Sequence, residues 1–172
     1  MNTEIVVNVF GGPGVGKSTL SAQLYAYLKT EHRDVEYVNE FAKELVYENN
    51  LDALEDQVYI FGTQLHRLRG AVQHNQIVIC DSPLLLSAIY NSDTSPHLID
   101  LVLDMHRQFN NINIFLKRST YPYSMKGRVH SLTQSISIDN QILHFFKEHS
   151  IHHTVFDPSI ETYQTLLPYI IP

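Results

Sequence analysis

An octapeptide near the start constrains this chain more than any other feature. Gly11-Gly12-Pro13-Gly14-Val15-Gly16-Lys17-Ser18 follows directly on the apolar run Ile5-Val6-Val7-Asn8-Val9-Phe10. Its spacing, G-x-x-x-x-G-K-[ST], is that of a phosphate-binding loop. Glycines there let backbone N–H groups converge on a phosphate without Cβ clashes. The lysine brings a point charge to the β/γ-phosphates, and the Ser18 hydroxyl suits Mg²⁺. The flanks fix the local order. The run before the loop is rich in β-branched residues and nearly unbroken, as in a central parallel strand covered on both faces. After it, Leu20, Leu24, Tyr27 and Leu28 recur at helical spacing. Strand, loop and helix thus succeed one another, and the helix N-terminus adds partial positive charge to the anion site. Gly11, Gly12, Pro13, Gly14, Val15, Gly16, Lys17, Ser18 and Thr19 are the expected nucleotide-binding residues.

The remaining sequence extends the same alternation. Strand candidates fall at 3–10, 35–38, 76–80, 112–116 and 153–156, separated by helical patterns at 17–30, 40–49, 54–70, 97–109 and 134–149, with a last one near 159–168. Strands alternating with helices imply an α/β fold, a parallel sheet with helices on both faces. No repeat, low-complexity tract or linker divides the 172 residues, so one domain over 1–172 is expected. No stretch is long enough to span a bilayer and no secretory leader is recognisable; a single cysteine excludes an internal disulfide framework, and a cytoplasmic protein is the expectation. Cys80, at the end of an apolar strand, reads as a buried structural thiol.

Charge is unevenly placed. The net value of −6 argues against broad non-specific nucleic-acid binding. Residues 31–56 hold nine acids against two Lys/Arg, whereas 117–130 hold Lys117, Arg118, Lys126 and Arg128 with no acid. A locally basic segment in an acidic chain suits a concentrated anion, and a solvated loop face is the plainer reading.

In an open parallel sheet, ligands bind beyond the carboxyl ends of the strands. The third strand ends in Cys80-Asp81-Ser82-Pro83. Asp81 stands where a carboxylate would order the Mg²⁺ shell, although it also suits a helix cap with Pro83 behind it. After the second strand, Glu40 is placed to take a proton from an acceptor hydroxyl. Glu40 and Glu44 lie one helical turn apart beside Lys43, a spacing that an ordinary surface helix shares. Along 54–70, Val58, Phe61, Leu65 and Leu68 form the apparent core stripe. Gln57, Ile60, Gln64 and Arg67 lie on another face, where the Gln64 amide could read a nucleobase edge or simply face solvent. The stretch 117–133 combines Gly, Pro and cations as a closing lid would, and its arginines could neutralise a phosphoryl group in transfer. Tyr121 and Tyr123 could stack on a base. The ten histidines match no zinc template.

Taken together, Gly11–Ser18, Glu40, Phe61-x-x-Gln64, Asp81-Ser82-Pro83-Leu84-Leu85 and the basic Lys117–Arg128 segment resemble the small P-loop kinases of the thymidylate-kinase and deoxynucleoside-kinase superfamily, in particular compact, often phage-encoded members. The resemblance implies a P-loop NTPase three-layer sandwich on a five-stranded parallel sheet, with Mg-ATP as donor. It implies catalytic roles for Lys17, Glu40, Arg118 and Arg128, metal ligation by Ser18 and Asp81, and acceptor binding by Lys43, Gln64 and Arg67. Acceptors in this group are nucleosides, nucleoside monophosphates, nicotinamide riboside or, in some viral members, 5-hydroxymethyluracil within DNA. The last is the favoured acceptor here, with a homodimer as a compatible assembly. One departure stands out. Thymidylate and deoxynucleoside kinases usually carry an Arg after the third-strand acid, where this chain has Ser82. A nucleotide-hydrolysing switch or ATPase is the competing class, but no N-K-x-D guanine-reading motif occurs and the chain is short for a motor.

Overall fold

The structure is a computed structural model that describes residues 4–90, 97–118, 130–159 and 161–171. In chain order the elements are β1 (Ile5–Phe10), α1 (Lys17–Thr30), β2 (Val35–Val38), α2 (Phe41–Tyr47), α3 (Leu51–Glu55), α4 (Gln57–Val72), β3 (Ile77–Cys80), α5 (Leu85–Ile89), α6 (His97–Arg107), β4 (Asn110–Leu116), α7 (Leu132–Glu148), β5 (Thr154–Phe156) and α8 (Thr162–Ile170). The five strands form one sheet in the order β2-β3-β1-β4-β5, and every neighbouring pair is parallel. The chain steps outward from β1 to β2, returns to β3, then crosses to β4. The reversal opens a crevice beyond the carboxyl ends of β1 and β3, where the phosphate loop leaves the sheet.

Strand pleating sorts the core into two layers. Val6 and Phe10 of β1 join Val38, Val78, Cys80 and Phe115 beneath α4–α7. Val7 and Val9 join Val35, Ile77, Ile79, Ile114 and Leu116 against α1 and α8. Both faces are therefore covered, which is why β1 and β3 read as almost continuous apolar runs. Asn8 interrupts that run on the α4–α7 side. Its amide donates to Asn111 Oδ1 at 2.8 Å and Asn113 Oδ1 at 3.1 Å on β4. Asn111 in turn donates to the carbonyls of His106 and Phe109, and Asn113 to that of His152. A buried polar group is tolerated when its bonds are made, and here they are made across two strands.

The expected helix over 54–70 is two helices. Asn50 Oδ1 accepts from Ala53 N at the start of α3, and Asp56 Oδ1 accepts from Tyr59 N at the start of α4. Two side-chain caps six residues apart nucleate separate helices. The stripe of α4 is also rotated from the expected one. Val58 is 56% exposed, whereas Ile60, Phe61, Gln64 and Leu68 are buried, because α4 packs on α2 as well as on the sheet and Ile60 meets Phe41 and Leu45. α7 begins with a capping box in which Ser131 and Gln134 exchange side-chain and backbone hydrogen bonds.

Candidate active site

The donor side is built from main chain. Gly16 caps α1 with φ 102°, a left-handed conformation suited to glycine, and its carbonyl accepts from Leu20 N. Val15 is buried beneath the loop, and Ser18 and Thr19 are exposed on the first turn of α1. Lys17 folds back along the loop and donates from Nζ to Gly11 O at 2.9 Å. Gly12 meets α7 closely. A Cβ there would stand 2.5 Å from Ser135 O and 2.7 Å from Asp139 Oδ1.

Arg118 takes a different position from the one expected of a lid arginine. Its Nε donates to Asp139 Oδ2 at 2.8 Å, Nη1 to Pro13 O at 3.0 Å and Nη2 to Ser135 O at 3.3 Å. It stands two residues beyond β4, so the strand end delivers it against the back of the loop. Lys117 pairs with Asp157 at 3.2 Å. Tyr121, Tyr123, Lys126 and Arg128, with most of the expected lid, lie outside the described residues.

Asp81 follows β3 directly and is buried. Its N–H donates to Val38 O, and its Oδ2 accepts from the Tyr37 hydroxyl at 3.1 Å. Burial, and then the neighbouring Asp81, push the Tyr37 hydroxyl well above its usual range, so it remains a donor to the carboxylate. Asp81 does not cap the next helix; α5 starts after Leu84 without a side-chain cap. Oδ1 of Asp81 is buried with no hydrogen-bond partner. An orphaned carboxylate oxygen is costly in a protein interior, and Ser18 lines the same cleft. Those two groups fit a Mg²⁺ ion, which takes hard oxygen ligands.

The cleft itself measures about 200 Å³ and is lined by Ser18, Tyr37, Asn39, Glu40, Lys43, Glu44, Tyr47 and Asp81. Glu40 is the N-cap residue of α2, and its side chain makes no cap bond. Gln64 is only 2% exposed. It accepts from Phe41 N at 3.4 Å and donates to Asn39 O at 3.2 Å and Cys80 Sγ at 3.8 Å. The amide therefore holds the turn from β2 into α2 from behind; this burial replaces the expected base-reading face. Arg67 forms a two-pronged pair with Glu44, both contacts at 2.8 Å, and stacks over Phe41. Glu44 thus bonds across to α4 instead of belonging to an i,i+4 surface pattern. Lys43 is exposed at the cleft, 5.8 Å above the Tyr47 ring. Cys80 is fully buried, and burial pushes its thiol to about 12.

Three residues escaped the sequence reading. Tyr37 lay inside a strand, Asn39 in a turn and Asp139 in a helix. Only Asp139 carried a signal, as an acid on the apolar stripe formed by Ile138, Ile142 and Phe145.

Comparison with known proteins gives these features a lineage. Residues 6–162 match the family model described as AAA domain. Thymidylate kinase of Rickettsia conorii is 26% identical over 155 residues, covering 80% of this chain and 75% of that protein. The crystal structure of NadR protein in complex with NR superposes with a TM-score of 0.71 at 16% identity over 97% of this chain, which spans 52% of that protein. Deoxyadenosine kinase from M. mycoides with bound dATP gives 0.58 at 19% identity, covering 96% of this chain and 98% of that one. Both structures share the fold. No described helix is long and apolar enough to cross a membrane. With the phosphate loop, the 2-3-1-4-5 sheet and kinase relatives in agreement, the chain belongs to the AAA domain family and is a phosphotransferase of the P-loop kinase superfamily.

Proposed function

We propose that this protein transfers the γ-phosphate of ATP to a hydroxyl of a nucleoside-like acceptor held between the phosphate loop and α2. The observation that supports it most is the shared cleft. Ser18, Asp81 and Glu40 line one space, so donor, metal ligands and a proton acceptor face each other. In this reading Lys17 and the main-chain N–H groups from Gly14 to Ser18, with Thr19, hold the phosphates, since Pro13 has no N–H and that of Gly12 donates to Asp139. Mg²⁺ held by Ser18 and Asp81 would offset charge on the group in transfer. Glu40 takes the acceptor proton as the hydroxyl oxygen bonds to the γ-phosphorus. The bond from that phosphorus to the bridging oxygen breaks, and ADP leaves with the electron pair. Gln64 and Arg67 act by setting α2, Lys43 is the acceptor-side cation, and Arg128 is the cation assigned to the closing segment. Every group comes from one chain, so the scheme does not require a homodimer.

The first acceptor to test is 5-hydroxymethyluracil in viral DNA, on the resemblance described above. A free nucleoside, a nucleoside monophosphate or nicotinamide riboside is the second. Since Lys117 and Arg118 already pair with Asp157 and Asp139, a DNA strand would draw on Lys126 and Arg128. Incubation with γ-labelled ATP and a panel of these acceptors decides the matter. Label on hydroxymethyluracil DNA supports the first reading, label on a small acceptor the second. Phosphate release with no labelled acceptor would replace both with the ATPase class.

A further inference from the structure

Asp139 is the one acid on the buried face of α7, a turn beyond the buried Ser135, and a buried carboxylate needs partners. It has them in the phosphate loop. Oδ1 accepts from Gly12 N at 2.6 Å, and Oδ2 from Arg118 Nε at 2.8 Å. Arg118 then reaches Pro13 O at 3.0 Å. The Asp139–Arg118 pair is well shielded, with side chains 12% and 16% exposed. The N–H of Gly12 and the carbonyl of Pro13 are thus both held from the α7 side, and the close approach of Ser135 O to Gly12 leaves no room for a Cβ.

We infer that Asp139, acting with Arg118, is a positioning residue that holds the first turn of the phosphate loop in its anion-receiving shape. The physical basis is preorganisation: a loop ordered before binding costs less to order when the nucleotide arrives. A carboxylate beside an anion site also repels phosphate unless a cation neutralises it, so the two side chains work as a unit. Removing Arg118 alone leaves the buried charge of Asp139 next to the triphosphate, which is worse than removing both.

That ordering is the test. Titration of Mg-ATP into the purified chain by calorimetry, with thermal unfolding in parallel, reads binding without needing the acceptor. Asp139→Ala should weaken ATP binding by about 10-fold and Arg118→Ala by about 30-fold, while the double variant should bind better than Arg118→Ala alone. Asp139→Asn, which keeps an acceptor for Gly12 N–H, should lose only about threefold and keeps the inference testable if the alanine variants fail to fold. The inference is overturned if Asp139→Asn and Asp139→Ala both bind ATP within twofold of the native chain. It is also overturned if the double variant is weaker than either single one. The first of those results leaves the proposed kinase activity standing, whereas a native chain that bound no ATP would overturn both.

Discussion

The two walls of the cleft are built on opposite plans. On the donor side the surface offered to a ligand is largely main chain, and side chains hold it from behind. Asp139 and Arg118 grip Gly12 and Pro13, and Lys17 folds onto Gly11. On the α2 side the main chain is held from behind, by the buried amide of Gln64, and side chains face the cleft. A main-chain site depends on shape and tolerates little change in it. A side-chain site can be retuned one residue at a time while its frame stays fixed. The contrast accounts for a phosphate loop readable from one octapeptide and a facing wall that no local motif announces.

The largest expected effect strikes the donor wall. Lys17→Ala should cut phosphoryl transfer by about 10³-fold or more, measured as single-turnover labelling; a rate within tenfold of native would mean that the loop is not the catalytic site. Glu40→Gln should lower kcat by about 10²-fold while ATP affinity stays within twofold. Equal losses in both would erase the division between the walls. Gln64→Leu leaves the Phe41 N–H and Asn39 carbonyl without their partner, so urea unfolding should show a loss of about 1–3 kcal/mol. Its acceptor KM should rise while ATP binding is spared, and a change confined to ATP would reverse the assignment of α2.

The smallest effect is electrostatic. The hydrogen bond from Arg67 holds the Glu44 carboxyl below its usual value. The stability this pair adds is complete above the ordinary glutamate range and is lost as pH falls through the lowered folded value. With side chains 31% and 39% exposed, it amounts to about 0.5 kcal/mol. Arg67→Met should flatten the acid side of the stability–pH curve by that amount. An unchanged curve would mean that stacking on Phe41, not charge, is what Arg67 contributes.

Much of the sheet was legible because each strand signal is local. β2 falls where its apolar run predicts, α1 spans the expected 17–30, and β1, β3 and β5 differ from expectation by one or two residues at their starts. The positions of Asp81, Glu40 and the loop beyond the strand ends were legible for the same reason, since the ends of strands are local features. What was missed depends on distance along the chain. Asp139 meets Gly12 across 127 residues and Tyr37 meets Asp81 across 44, and no periodicity announces such pairs. The α4 stripe was misread because α4 packs on two elements, and a single-face rule assumes one. Arg118 was assigned to a lid from its composition. Its place depends on where β4 stops, which composition does not encode.

The asparagines between β1 and β4 act as a gauge during assembly. Val7, Asn8 and Val9 of β1 pair with Ile112, Asn113 and Ile114 of β4, and a one-residue slip would set Asn8 opposite Ile112 or Ile114 in place of Asn113. A parallel strand rises about 3.3 Å per residue, more than the length of a hydrogen bond, so one step of slippage would carry Arg118 out of reach of Pro13. The alignment that satisfies three amides is therefore also the one that sets the height at which the loop is clasped. A chain aligned in this way holds its phosphate loop at the correct level before any nucleotide is there to test it.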